Sequence, residues 1–244
     1  ERPQAGRFRQ FHQIGIEYIG EPSPYADAEV IALGYHLFES LGISDLKVCI
    51  NSVGCKVARP VIEEMVKQFI SANLSKLPTH IQHKFNDNPL RILDSKDESV
   101  QAYIAGMPDI KHALTQESKD HFFSVLQHLD EMNIPYKVTN TLVRGLEYYT
   151  ETVFEIVSDH LGAQSTVCGG GRYNNLTKEL GGPDLSAVGF GFGIERTIML
   201  LDHIKKQIEM SIDIYLIPLD TLSRNFLFYI MHRLRGVGIS CEIG

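Results

Sequence analysis

Residues 187–193 read Ala187-Val188-Gly189-Phe190-Gly191-Phe192-Gly193. The alternation has the period of two that belongs to a β-strand, and it puts all three glycines on one face. A face without side chains is a flat shelf on which a planar ring can lie. The spacing is not that of the dinucleotide fingerprint G-x-G-x-x-G. A helix follows at once, from about Gly193 to His203. Arg196 falls in its first turn, where its charge adds to the positive helix N-terminus and makes a phosphate site. A strand with a bare face that runs straight into a helix is the strongest constraint on the fold.

A second alternation covers residues 7–19. Phe8, Gln10, His12, Ile14, Ile16 and Tyr18 share one face of that strand, and Arg7, Arg9, Phe11, Gln13, Gly15 and Glu17 the other. Phe11 and Glu17 would stand about 20 Å apart at ~3.3 Å per residue, so a long ligand could lie along that face. A helix is expected over about 27–41, with Val30, Leu33, Leu37, Phe38 and Leu41 as its apolar stripe and Gly42 as its stop. Residues 46–50 return as a strand. The stretch from about 54 to 119 reads as a helical insertion. A helix over 117–132 follows, carrying Phe122, Phe123, Leu126 and Leu129. Strands are expected near 136–138, 152–157 and 166–168, with a short helix near 173–180. After His203, a buried-looking strand at 212–218, a helix at 222–234 and a strand at 239–243 make a β-α-β unit. The fold class is therefore α+β: an antiparallel sheet flanked by helices over 1–205, and the start of an α/β domain over 206–244.

Composition bounds the rest. The 244 residues suit one large domain, or one domain and part of a second. A net charge of -7 argues against a general nucleic-acid or membrane-surface binder, though not against a local basic patch. The four cysteines form no C-x-x-C pair, and no apolar run is long enough to cross a bilayer.

Two more segments carry chemistry. In 142–150, Arg144 can clamp a phosphate or carboxylate, or pair with Glu147. In 168–173, three consecutive glycines allow close backbone approach to a ligand, or a turn. Together the segments offer a shelf, a stacking Phe11, arginines 7, 144 and 196 for phosphates, and Glu17 with a tyrosine for a small polar group. Such a site suits ATP and a small second substrate.

Several segments resemble a known family. Residues 1–13 are similar to motif 2 of class II aminoacyl-tRNA synthetases, and 189–196 to motif 3. Residues 142–149 and 169–173 resemble the two signature segments of histidyl-tRNA synthetases, and 88–94 fits that family too. The resemblance implies that Arg7 and Arg196 hold the outer phosphates of ATP while Phe11 stacks on adenine over Gly191 and Gly193. It implies that Gln13 orients histidine, that Glu17 and Tyr149 bond its imidazole, and that Tyr148, Gly169 and Gly170 line the amino-acid pocket. Arg144 would be the catalytic arginine. Arg2 and Gln4 would face the tRNA acceptor end. ATP, Mg²⁺, histidine and tRNA(His) are the implied cofactors and partners, in a cytoplasmic homodimer with no membrane association. Motif 1, the motif 2 arginine and an upstream Thr/Glu segment of the family are not matched, and 212–244 resembles only the start of an anticodon-binding domain. The expectation is a fragment. A catalytically silent relative, either a regulatory subunit of ATP phosphoribosyltransferase or a tRNA-sensing domain, is the alternative.

Overall fold

The computed structural model describes residues 8–72, 82, 89–93, 95, 97–144, 148–158, 165–203 and 212–244. Two compact units emerge, Glu1–Lys205 and Lys206–Gly244.

In the first unit the strands are β1 (Gln13–Ile19), β2 (Leu46–Ser52), β3 (Tyr136–Val138), β4 (Thr150–Ser158), β5 (Thr166–Arg172) and β6 (Ala187–Gly193). They form one sheet in the order β1-β6-β5-β4-β2-β3. All neighbours are antiparallel except β2 and β3, which are parallel. The purely antiparallel expectation is corrected at that edge. The chain between β2 and β3 travels through several helices, and such a crossover returns a strand in the same direction.

Helix α1 (Pro24–Ser40) begins three residues before the expected start, because Pro24 is well placed in a first turn. It ends as expected at Gly42, whose φ of +87° accompanies bonds from Gly42 N to Glu39 O and from Ile43 N to Phe38 O. The helical region before β3 contains α2 (Arg59–Ser71), α3 (Glu98–Ile104) and α4 (Gln116–Glu131). Thr115 caps α4 by accepting from Ser118 N at 3.1 Å.

Helices α1 and α4 cover one face of the sheet. Ile31, Phe38, Phe122, Val125 and Leu129 meet Val48, Ile50, Phe154, Ile156, Val188, Phe190 and Phe192 there. Phe38 and Phe192 meet edge to face, 5.1 Å between centroids. Two expected stripe residues are corrected: Leu33 and Phe123 are exposed, and Ile31 and Val125 take the core positions. A second core of Ile62, Val66, Ile70, Val100, Ile104 and Ile110 holds α2 and α3 together.

Strand β5 extends through Gly169, Gly170 and Gly171, so the glycine run is strand interior and not a turn. Strand β1 is shorter than the alternation suggested. Its partner β6 ends at Gly193, opposite Gln13, and passes into α6 (Ile194–His203) after α5 (Leu176–Glu179). With no ladder left to join, Phe8 to His12 lie outside the strand.

The second unit contains β7 (Ile214–Leu216), α7 (Thr221–Gly236) and β8 (Cys241–Ile243), with β7 and β8 parallel. Asp220 and Ser223 form a reciprocal capping box at the start of α7. The buried strand expected at 212–218 is corrected: Ile217 and Tyr215 are exposed.

Candidate active site

The face of the sheet opposite α1 and α4 carries the candidate chemistry. Residues directly opposite in antiparallel strands point to the same side. Gly15 on β1 faces Gly191 on β6, Gly191 faces Gly169 on β5, and Gly169 faces Glu155 on β4. Three glycines from three strands thus form one row that continues into the Glu155 carboxylate on β4 and Cys49 on β2. The next row runs Glu17, Gly189, Gly171, Val153, Asn51. Gln13 lies opposite Gly193 on the other side of the first row.

What covers each glycine differs. A Cβ at Gly191 would meet nothing closer than 3.9 Å, so this part of the floor is open. A Cβ at Gly169 would meet the Arg144 guanidinium, with Nη1 at 2.5 Å and Cζ at 2.7 Å. Arg144 therefore lies on the bare backbone of β5. A Cβ at Gly171 would meet the Tyr149 ring at 2.8 Å, and one at Gly189 would fall on the Glu17 carboxylate. A Cβ at Gly193 would meet the Arg196 side chain at 3.9 Å. Gly170 is a correction to the expected pocket lining. It points to the opposite side, where a Cβ would lie 2.8 Å from Phe190 Cβ.

Arg144 donates from Nη1 to Glu155 Oε1 at 2.5 Å, and Thr166 Oγ1 donates to Glu155 Oε2 at 2.8 Å. Arg144 Nε is buried and has no hydrogen-bond partner among the described residues. The partner of Arg144 is thus Glu155, while Glu147, the partner weighed from sequence, lies outside the described residues. Burial pushes the Arg196 guanidinium below its usual range, against the charge of Glu155.

Tyr173 donates its hydroxyl to Glu17 Oε2. Its ring stands edge-on to Tyr148, 5.7 Å between centroids, and the Tyr148 and Tyr149 rings are 4.7 Å apart. Burial, and then the Glu17 carboxylate, push the Tyr173 hydroxyl up; burial, and then Tyr148, do the same for Tyr149. The Tyr149 and Tyr173 hydroxyls therefore stay protonated and able to donate. Tyr173, Glu155 and Thr166 were missed as site residues. The signals were a tyrosine two residues after the glycine run and a lone acid inside the apolar stretch Val153-Phe154-Glu155-Ile156.

The structure brings Gln13, Glu17, Arg144, Tyr148, Tyr149, Gly169, Gly191, Gly193 and Arg196 to this region of the sheet. Phe11 is exposed beside it. His12 is tied to the start of α6, its ring Nδ1 lying 2.7 Å from Glu195 Oε1. Arg2, Gln4 and Arg7 lie outside the described residues. Among the described residues no three His, Cys, Asp or Glu side chains come together as metal ligands. No helix among them is long and apolar enough to cross a membrane.

Comparison with known proteins bears on the same residues. The histidyl-tRNA synthetase family model matches residues 1–197. The histidine–tRNA ligase of Halothermothrix orenii is 45% identical over 245 residues, covering 100% of this chain and 58% of that protein. That of Clostridioides difficile is 42% identical, covering 99% and 58%. The chain therefore spans somewhat over half the length of these relatives. Apo histidyl-tRNA synthetase from S. aureus superposes with a TM-score of 0.69 at 33% identity, over 97% of this chain and 59% of that one. A protein from Bacillus halodurans described as an ATP phosphoribosyltransferase regulatory subunit/histidyl-tRNA synthetase gives 0.57 at 21% identity, a likeness of fold alone. With glycine rows, arginines and tyrosines on one sheet face and a family match that takes in all of them, the chain belongs to the histidyl-tRNA synthetase family.

Proposed function

We propose that this chain carries the adenylate-forming site of a histidine–tRNA ligase. One observation carries the reading. The open glycine floor at Gly191 is bounded by Arg144 in its own row and by the Glu17–Tyr173 pair in the next. A planar base, a phosphate and a small polar ring could be held side by side on it.

In the first step a carboxylate oxygen of histidine attacks the α-phosphorus of ATP, the bond to pyrophosphate breaks, and histidyl-adenylate forms. Charge builds on the α-phosphoryl oxygens, where a fixed cation lowers the barrier; this is the role of Arg144. Arg196 and Arg7 hold the outer phosphates, and Phe11 stacks on adenine. Gln13 orients the amino acid. Glu17 accepts from one imidazole nitrogen, and the tyrosine hydroxyls serve the other polar contacts. In the second step the terminal ribose hydroxyl of tRNA(His) attacks the activated carbonyl and AMP leaves. Arg2 and Gln4 face that acceptor end. Mg²⁺ accompanies ATP, and the sparse acidic set near the floor fits an ion carried in on the phosphates. The parent protein is a cytoplasmic homodimer on this reading. Retention of Glu17, Arg144, Tyr149 and Arg196 favours the enzyme over a silent regulatory relative.

Calorimetric titration with histidine and with phenylalanine tests this reading. Phenylalanine is larger than histidine and brings no N–H to the Glu17 carboxylate, and sites built to hydrogen-bond a substrate N–H reject the analogue that lacks it by ~10⁴. Binding of histidine alone, weakened at least about tenfold by Tyr173→Phe, is expected. Equal binding of phenylalanine would overturn it.

A further inference from the structure

We infer that Glu155 and Thr166 are positioning residues that act through Arg144, fixing the plane of its guanidinium against Gly169. The inference rests on the role proposed above for Arg144 and adds what makes that role possible.

Arg144 belongs to the irregular segment between β3 and β4, whereas the floor it lies on belongs to β5. A long side chain from an irregular segment has many rotamers, and a cation must be fixed before the reaction if it is to stabilise developing charge. Two restraints supply that order. The main chain is held from β2: the amide of Asn51, fully buried, donates to the carbonyls of Asn140 and Leu142 at 3.3 and 3.0 Å. The guanidinium is held from β4, by Glu155 at 2.5 Å.

Glu155 can do this because it cannot turn. It stands directly opposite Gly169 in the ladder, so it emerges beside the place where the guanidinium lies. Its second oxygen is taken by Thr166 at 2.8 Å. Both members of the ion pair are largely covered, with side-chain exposures of 23% and 21%. That separates the pair from exposed ion pairs, whose contribution is small. With one carboxylate oxygen on Arg144 and the other on Thr166, the plane of the Glu155 carboxylate is fixed from both ends. Its chemistry is to orient.

Pyrophosphate exchange on the 244-residue chain, for wild type, Glu155→Gln, Thr166→Val and Arg144→Ala, tests this. Glu155→Gln should lower kcat about 10- to 100-fold with both KM values within about threefold, since a displaced catalytic group costs transition-state and not ground-state binding. Thr166→Val should act in the same direction and less. In the Arg144→Ala background Glu155→Gln should cost nothing further, because the residue through which it acts is gone. A further loss in that background, or an unchanged or raised kcat in Glu155→Gln alone, would overturn the inference. A second measurement does not depend on activity. The Nε–Hε NMR signal of Arg144, assigned by its loss in Arg144→Ala, should shift or broaden in Glu155→Gln and Thr166→Val. A signal that stays in place overturns the inference as well. Absence of exchange in wild type would count against the proposed function, and that signal would then decide the positioning role alone.

Discussion

Glu151 occupies φ +50°, a left-handed conformation that is uncommon outside glycine. The backbone around it is pinned, with Val53 N donating to Glu151 O at 2.8 Å and Glu151 N to Gly54 O at 3.0 Å. Its buried carboxylate accepts from Ser118 on Oε1 at 2.9 Å, and Oε2 has no partner among the described residues. Burial raises this carboxyl above its ordinary value of 4.5; Asp27 and Glu117 add to the rise, and Ser118 and His121 oppose it. A carboxyl raised on folding holds its proton more tightly in the folded chain. Its stabilisation is complete below the unfolded value and is lost as pH climbs through the folded one. Glu151→Gln should therefore gain stability relative to wild type as pH rises from about 4 to about 7, read as urea midpoints. Wild type gaining on the variant over that range would contradict this. Asp27 behaves in the opposite way. Burial acts upward on it, but bonds from His121 and from Arg172 hold its carboxyl below the ordinary range, so its stabilisation is lost as pH falls. Arg172 is fully buried on Asp27 and also donates to the carbonyls of Glu21 and Ser23. Asp27→Ala would leave that cation uncompensated and should cost about 3–5 kcal/mol in denaturant unfolding. A loss below about 1 kcal/mol would show the pair to be no better than a surface one.

At the scale of elements, the glycines of β5 and β6 separate into two kinds. Gly191→Ala should fold, since its Cβ meets only ordinary contacts, but it narrows the floor and should weaken ATP binding. Gly170→Ala drives a Cβ into Phe190 and the Gly189 carbonyl and should cost about 1–3 kcal/mol of stability. Thermal melts with ATP titrations separate the two, and equal effects on stability would contradict the assignment of faces. The bare face of β6 was legible in the sequence because a period of two needs no partner. The row Gly15–Gly191–Gly169 was not, because register is set by pairing between separate segments, β1 with β6 and β6 with β5. The same holds for Glu155, which reads as a stray acid until Gly169 and Arg144 are placed beside it. Tyr173 was visible as a neighbour of the glycine run, yet only the fold brings it to Glu17. The alternation of residues 7–19 misled at its start, since a strand lasts only as long as its partner. Helices α1 and α4 were located by periodicity, while the exposure of Leu33 and Phe123 depends on how wide a stripe the sheet covers.

Across the whole molecule, two compact units divide the labour of the fold. The Glu1–Lys205 unit contains the sheet, its two cores and every described residue of the candidate site. In that unit one sheet face is committed to α1 and α4, and the opposite face carries the glycine rows and Arg144. The central claim is that this face activates histidine with ATP. Histidine-dependent exchange of pyrophosphate into ATP, compared between wild type and Arg144→Ala, tests it most directly. Exchange that requires histidine and falls about 10²- to 10³-fold in the variant is the predicted result. Exchange that proceeds without histidine, or that survives the loss of Arg144 undiminished, would contradict it.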